Sequence, residues 1–251
     1  MPASEVIVLT REPEDNRDLA SRLEGAGARV REIPCILTRL RDPDPAELER
    51  LPAPGQVGAL AFTSRRAVQG WVRWVGSAPA GSWPRLLPVD RIAVAAVGRS
   101  TARALEEAGM KPGLVADPPT GESLARLLAT HVAPDRCIVL PGGEMRAGGL
   151  EAGLEEAECT TRTLTLYAND DPRVPALDPF PVAAVFVASP SAGRRLLDAM
   201  PWMKACPFVS IGPTTSRALR ELGVESLREP GPAPEHWLRA LLDAAGVHDH
   251  A

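Results

Sequence analysis

The segment TRTLTLYAND, residues 161–170, holds the only tyrosine in a chain of 251 residues. Its period-two alternation puts Thr161, Thr163, Thr165 and Tyr167 on one face of a strand, and Arg162, Leu164, Leu166 and Ala168 on the other. A tyrosine used only for packing belongs among the leucines, yet this one stands in the polar row. An ordinary phenol is protonated at neutral pH, so Tyr167 is a candidate donor of a proton or a hydrogen bond. A second set of chemistry-bearing residues is made of small hydroxyls. Thr63 and Ser64, Ser100 and Thr101, Ser189 and Ser191, and Thr214 and Thr215 each fall where an apolar run gives way to a helical pattern. Serine and threonine cap helices at such places, and helix starts also offer N–H groups to anions. One helix start can do both. Arg11, Arg66, Arg99 and Arg146 also follow strand patterns, either as solvated surface residues or as anion contacts.

Other chemistries lack their signatures. There is no G-x-S-x-G, Walker A or H-E-x-x-H, and the Gly-rich PGGEMRAGG (141–149) lacks the lysine of a phosphate loop. Gly98 and Gly212 open helical patterns without a G-x-G-x-x-G dinucleotide fingerprint. His131, His236, His248 and His250 form no metal set, and Cys35, Cys137, Cys159 and Cys206 read as buried free thiols. Trp71 and Trp74, at i, i+3 spacing, read as core or interdomain packing. The formal net charge of −4 argues against nucleic acid as the main partner. Only Lys111 and Lys204 are lysines among 28 basic residues; the arginines that make up the rest have planar forks suited to carboxylates, although base composition also explains their number. No apolar run reaches the roughly 18 residues of a membrane span, and MPASEVIVLT has no basic leader pattern. A cytoplasmic protein is expected.

The elements that must position these residues repeat along the chain. VGALAFTSRRAV (57–68) resembles VAAVFVASPSAG (182–193), and AVGRSTARALEEAG (96–109) resembles SIGPTTSRALRELG (210–223). A fainter pair joins VIVLTREPEDNRDLASRLEGAG (6–27) to CIVLPGGEMRAGGLEAGLEEAE (137–158). Short apolar strands alternating with helices predict an α/β fold with parallel sheets. Strands are predicted near 57–62, 92–97, 113–116 and 136–140 in the first half, and near 182–188, 207–211 and 225–228 in the second. The second half therefore lacks one strand-helix unit, and residues 6–27 resemble it. A discontinuous domain of 1–37 plus 168–251 follows, with 38–167 inserted. The chain would cross between domains near 34–40 and 163–170, where two adjacent crossings could pair as a hinge. Tyr167 would then stand at the mouth of the cleft between the domains.

These motifs together resemble the uroporphyrinogen-III synthase family. The likeness runs through VLTRE (8–12), FTSRRAV (62–68), VGRSTARALEEAG (97–109), LTLY (164–167), ASPSAGRRL (188–196) and IGPTTSRALRELG (211–223). It implies two flavodoxin-like α/β domains joined by a two-stranded linker. The implied enzyme needs no cofactor and cyclises hydroxymethylbilane with loss of water, inverting ring D through a spiro intermediate. The implied partner is a linear tetrapyrrole polycarboxylate, bound by a monomer that transiently meets the preceding pathway enzyme. By motif, Ser64, Thr101, Tyr167, Ser189, Ser191, Thr214 and Thr215 line the cleft, with Tyr167 the favoured acid. Thr63, Arg66, Arg11 and Arg146 join them as substrate contacts. One departure is Pro141-Gly142, where many members carry Arg-Gly; Arg146 could replace that basic contact. The rivals are a two-lobed, non-enzymatic receptor of small anions or tetrapyrroles, and a phosphosugar enzyme. The latter calls for a carboxylate or histidine base at a strand end, where only Glu12 and Asp117 stand.

Overall fold

The computed structural model describes residues 5–145, 148–231 and 233–247. The chain begins with β1 (Val6–Leu9), α1 (Pro13–Gly25) and β2 (Arg29–Glu32). Next come β3 (Leu37–Leu40), α2 (Pro45–Glu49), β4 (Val57–Phe62), α3 (Arg65–Ser77), α4 (Trp83–Leu86), β5 (Ala93–Ala96) and α5 (Arg99–Glu107). They are followed by β6 (Leu114–Val115), α6 (Gly121–His131), β7 (Cys137–Gly143), α7 (Gly149–Glu156) and β8 (Thr161–Asp170). The last part holds β9 (Val182–Val187), α8 (Pro190–Ala199), β10 (Pro207–Ser210), α9 (Pro213–Glu221), β11 (Ser226–Arg228) and α10 (Pro234–Ala244).

Two compact units result, Met1–Leu37 with Asp170–Ala251, and Thr38–Asn169. The sheet of the first is ordered β11-β10-β9-β1-β2, and that of the second β3-β8-β7-β4-β5-β6. The pairings from β4 to β8, and those among β1, β2, β9, β10 and β11, are parallel. β9, β10 and β11 thus hold the places in one sheet that β4, β5 and β6 hold in the other. β1 and β2 match β7 and β8 in the same way. The likeness between residues 6–27 and 137–158 is a likeness of position.

Local chemistry sets these elements. Ser64 caps α3 by accepting a hydrogen bond from the Ala67 N–H at 3.1 Å. Ser189 caps α8 by accepting from Ala192 N–H at 3.2 Å. Both caps have φ −156° and ψ 155°, so the sequence repeat is also a repeat of backbone geometry. α3 buries Ala67, Val68, Gly70, Trp71 and Trp74 on one face. Trp71 packs edge-on against Phe62 and Trp74, with ring centroids 6.2 and 5.5 Å apart. Both tryptophans therefore belong to the core of their own unit. Burying each of these large side chains contributes about 1.5–3 kcal/mol.

β2 was missed in the sequence, whereas β3 falls within the crossing expected near 34–40. β2, reading RVRE, is an edge strand whose residues are exposed except for half-buried Val30, so it lacks the apolar run of a covered strand. β3 is also an edge strand, and beyond it the Arg41 N–H donates to the Leu166 carbonyl of β8 at 2.8 Å. All four thiols are free. Burial pushes Cys35 up to about 12 and raises Cys137 and Cys206, so these thiols stay protonated at neutral pH. No described helix is long and apolar enough to cross a membrane.

Candidate active site

In the Thr38–Asn169 unit the chemistry collects where β4, β7 and β8 end. Leu164 and Leu166 of β8 are fully buried, whereas Thr165 and Tyr167 on the opposite face are half-buried. The Tyr167 hydroxyl lies 3.1 Å from Ser64 Oγ, across 103 residues of sequence. The phenol ring rests on Gly143 at the end of β7. A Cβ added at Gly143 would lie 2.4 Å from Tyr167 Cε2 and 2.6 Å from Cζ. The β7–β8 register shifts just before this point, so Gly142 faces Thr165 and Gly143 faces Tyr167. Bulges of this kind re-aim a side chain beside functional sites. Upstream of the shift, Thr165 donates its N–H (3.1 Å) and hydroxyl (2.7 Å) to the Glu47 carboxylate of α2.

The neighbouring candidates are less uniform. Thr63 is exposed and borders a pocket of about 370 Å³ with Pro119, Gly121, Glu122 and Gly149. The Glu122 carboxyl is held below the usual carboxylate range, chiefly by its own backbone N–H at the start of α6. Arg66 is half-buried at the second position of α3. Arg65, Arg99, Ser100 and Arg103 surround a second pocket of about 440 Å³. Thr101 is only 2% exposed, turned inward with Ala102 and Leu105. Pro141 and Gly142 are buried within β7. Arg146 lies outside the described residues.

The other unit holds Arg11, Ser189, Ser191, Thr214 and Thr215. Ser189 Oγ is 3.2 Å from Ser191 Oγ. Thr214 is exposed, while Thr215 is 3% exposed and turned inward like Thr101. Arg11 is half-buried, 4.0 Å from Asp15, and its carbonyl accepts a hydrogen bond from Asn16 Nδ2 at 2.9 Å. Capping thus accounts for Ser64 and Ser189. It does not account for the threonines, because α5 and α9 start at Gly98 and Gly212 with no side-chain cap.

Residues 17–239 match the family model described as uroporphyrinogen-III synthase HemD. The chain belongs to this family. Its members are cyclising lyases of tetrapyrrole and heme biosynthesis, and the non-enzymatic receptor reading gives way. Among solved structures, uroporphyrinogen-III synthetase from Helicobacter pylori is 20% identical, with a TM-score of 0.65 over 95% of this chain and 99% of that one. A mutant uroporphyrinogen III synthase from Thermus thermophilus is 18% identical, with a TM-score of 0.57 over 97% of this chain and 100% of that one. Both likenesses show the mixed α/β fold. Comparison with curated proteins gives no match. Tyr167, the serines and the threonines fall inside the stretch that matches the synthase model, and Arg11 falls outside it.

Three residues that make long-range contacts within their own units went unassigned in the sequence. Gly143 was visible in PGGE, but a glycine that gives room to a ring cannot be recognised before the ring is placed. Glu47 had a legible signal, because Asp44 and Glu47 form a capping box. Its second partner, Thr165, lies 118 residues away. Arg195 was read only as part of a motif; it donates to the Cys35 carbonyl at 3.0 Å and pairs with Asp171.

Proposed function

We propose that Tyr167 is the general acid of this synthase, donating its phenolic proton to the hydroxyl that leaves hydroxymethylbilane. The observation that carries this role is the phenol held on Gly143 beside Ser64, at the carboxyl ends of parallel strands. Parallel α/β sheets bind ligands at that edge. The C–O bond breaks as the pyrrole nitrogen of ring A supplies its electron pair, and the hydroxyl leaves as water with the proton from Tyr167. The resulting azafulvenium cation, protonated on the ring A nitrogen, is attacked by the substituted carbon of ring D. A spiro intermediate forms, its rearrangement leaves ring D inverted, and the proton lost as that ring becomes aromatic again restores the phenol.

Without help the same azafulvenium cation closes head to tail to the type I isomer, so the protein's task is mainly selection by orientation and electrostatics. The substrate is rich in carboxylates. Thr63, Arg66, Ser189, Ser191, Thr214 and Arg11 are assigned to them, with the uncapped starts of α5 and α9, and Ser64 is assigned to Tyr167. Thr101 and Thr215 act through packing in this arrangement, since both are buried. The two units are read as flavodoxin-like lobes. Support comes from the sheet order of the first, which runs 2-1-3-4-5 when its own strands are counted along the chain. β3 and the end of β8 are read as the linker. A cytoplasmic monomer that takes an unstable substrate directly from the preceding enzyme completes the reading. The test is incubation with freshly generated hydroxymethylbilane, oxidation, and separation of type I from type III porphyrin. Type III in excess supports this function, and type I at the uncatalysed proportion refutes it.

A further inference from the structure

Gly143 does not have the left-handed backbone that makes glycine necessary elsewhere, as at Gly109 (φ +76°) or Gly148 (φ +79°). It is the last residue of β7 and pairs in parallel register with Tyr167. Backbone conformation therefore leaves its identity unexplained. Space explains it, because the three atoms nearest to an added Cβ all belong to the tyrosine: Cε2 at 2.4 Å, Cζ at 2.6 Å and the hydroxyl at 3.0 Å. The glycine is a recess cut for the hydroxyl-bearing edge of one ring.

Ser64 closes the recess from the side. Its Oγ already accepts the Ala67 N–H at the positive start of α3. An oxygen that accepts one hydrogen bond becomes a better donor through the next. Either hydroxyl of this 3.1 Å pair can donate to the other, and in one direction Ser64 gives its single proton to the phenol oxygen. The phenol's own proton is then left free for a ligand. Were the direction reversed, Tyr167 would spend that proton on the protein.

We infer that Gly143 and Ser64 are positioning residues, Gly143 by making room for the Tyr167 ring and Ser64 by donating to its oxygen, so that the phenolic proton faces substrate. The catalytic part of this role rests on Tyr167 being the acid; the structural part does not. The single tyrosine allows the two parts to be read separately. Full-length protein grown with ring-¹³C tyrosine gives NMR signals from Tyr167 alone, whatever the activity. Gly143→Ala should move those signals and lower kcat by about tenfold or more, with KM changed less than about threefold. In a Tyr167→Phe background the same Gly143→Ala change should cost no further turnover, because groups that act through one another are not additive.

Ser64→Asp and Ser64→Thr separate donation from capping and do not depend on Gly143→Ala folding. Both retain a side chain that caps a helix, but an ionised aspartate has no proton to give. Ser64→Asp should lose about tenfold in kcat with an unchanged melting temperature, and Ser64→Thr, which keeps the donor, should recover most of that loss. Unmoved tyrosine signals and wild-type kcat in Gly143→Ala would overturn the recess, and full kcat in Ser64→Asp would overturn the donation. A fully active Tyr167→Phe would instead remove the acid, while the NMR signals still decide whether the ring is held as described.

Discussion

The two units use the same strand order to different ends. Ser64 and Ser189 cap equivalent helices with identical backbone angles, but Ser64 lies beside a phenol and Ser189 beside Ser191. Six residues further on, the equivalents are Gly70 and Arg195. A Cβ at Gly70 would lie 2.7 Å from Leu166 Cβ, so α3 presses directly on β8 just before the tyrosine. Arg195 instead reaches the carbonyl of Cys35, which holds the corresponding place beyond β2. Three residues past Leu140 stands Gly143, whereas three past Leu9 stands Glu12. In one unit two glycines thus make room, Gly70 for Leu166 and Gly143 for the tyrosine ring. The other has long side chains, Arg195 and Glu12, at the same positions.

Exchanging an equivalent residue tests this contrast most severely. Gly70→Arg puts the Arg195 side chain where Leu166 already sits. Overpacking of this kind costs about 1–3 kcal/mol, partly offset by the roughly 0.8–1.0 kcal/mol recovered in replacing a helical glycine. The net cost is about 0–2 kcal/mol, so we expect the melting temperature to fall by up to about 8 °C, taking about 2–4 °C per kcal/mol, with the Tyr167 environment disturbed. A Gly70→Arg protein with both its melting temperature and its tyrosine signals unmoved would remove the close packing from the account.

A smaller effect comes from treating the two caps alike. Ser64→Ala and Ser189→Ala should each lose about 0.5–2 kcal/mol of stability, measured by urea unfolding. Only Ser64→Ala should also lose about tenfold in kcat, while Ser189→Ala should chiefly raise KM. Equal losses of kcat would make the units functionally symmetric.

What was legible follows from what each residue does alone. The repeats stood out because covered parallel strands are short apolar runs, and because glycine and threonine recur at fixed offsets around Gly98 and Gly212. Tyr167 stood out because alternation sets its face. Thr101 and Thr215 were read as site residues from their place after a strand. Which way they turn is decided by the helix face shared with Leu105 and Leu219, and both are buried. β2 was not legible, since an edge strand has little apolar surface to declare it. Gly143, Glu47 and Arg195 act on partners far away in sequence, and no local pattern announces such a pairing.

Arg66→Ala should have a weaker effect, because a partly exposed charge contributes about 0.2–1 kcal/mol. KM should rise by about 1.4- to 5-fold, and wild-type KM should itself rise with salt as screening lengths fall to about 10 Å at 0.1 M. The smallest expected change is at Cys35, the counterpart of Leu166. Burial holds its thiol at about 12, so it stays protonated below that pH. It should resist iodoacetamide at pH 8 in the folded protein and react on unfolding, as followed by mass spectrometry. Ready alkylation in the native state would show that this position is not packed as Leu166 is.

The most direct measurement is made on Tyr167→Phe, with melting temperature and type III porphyrin formation recorded on the same preparation. Acid assistance typically contributes about 10²–10⁴-fold, and this leaving group departs readily, so a loss of about 10²-fold is expected. The protein should remain folded with an unchanged melting temperature and keep a residual preference for type III, because orientation survives the loss of one hydroxyl. A Tyr167→Phe protein that melts earlier but turns over at the wild-type rate would contradict the account, leaving the phenol as a structural peg.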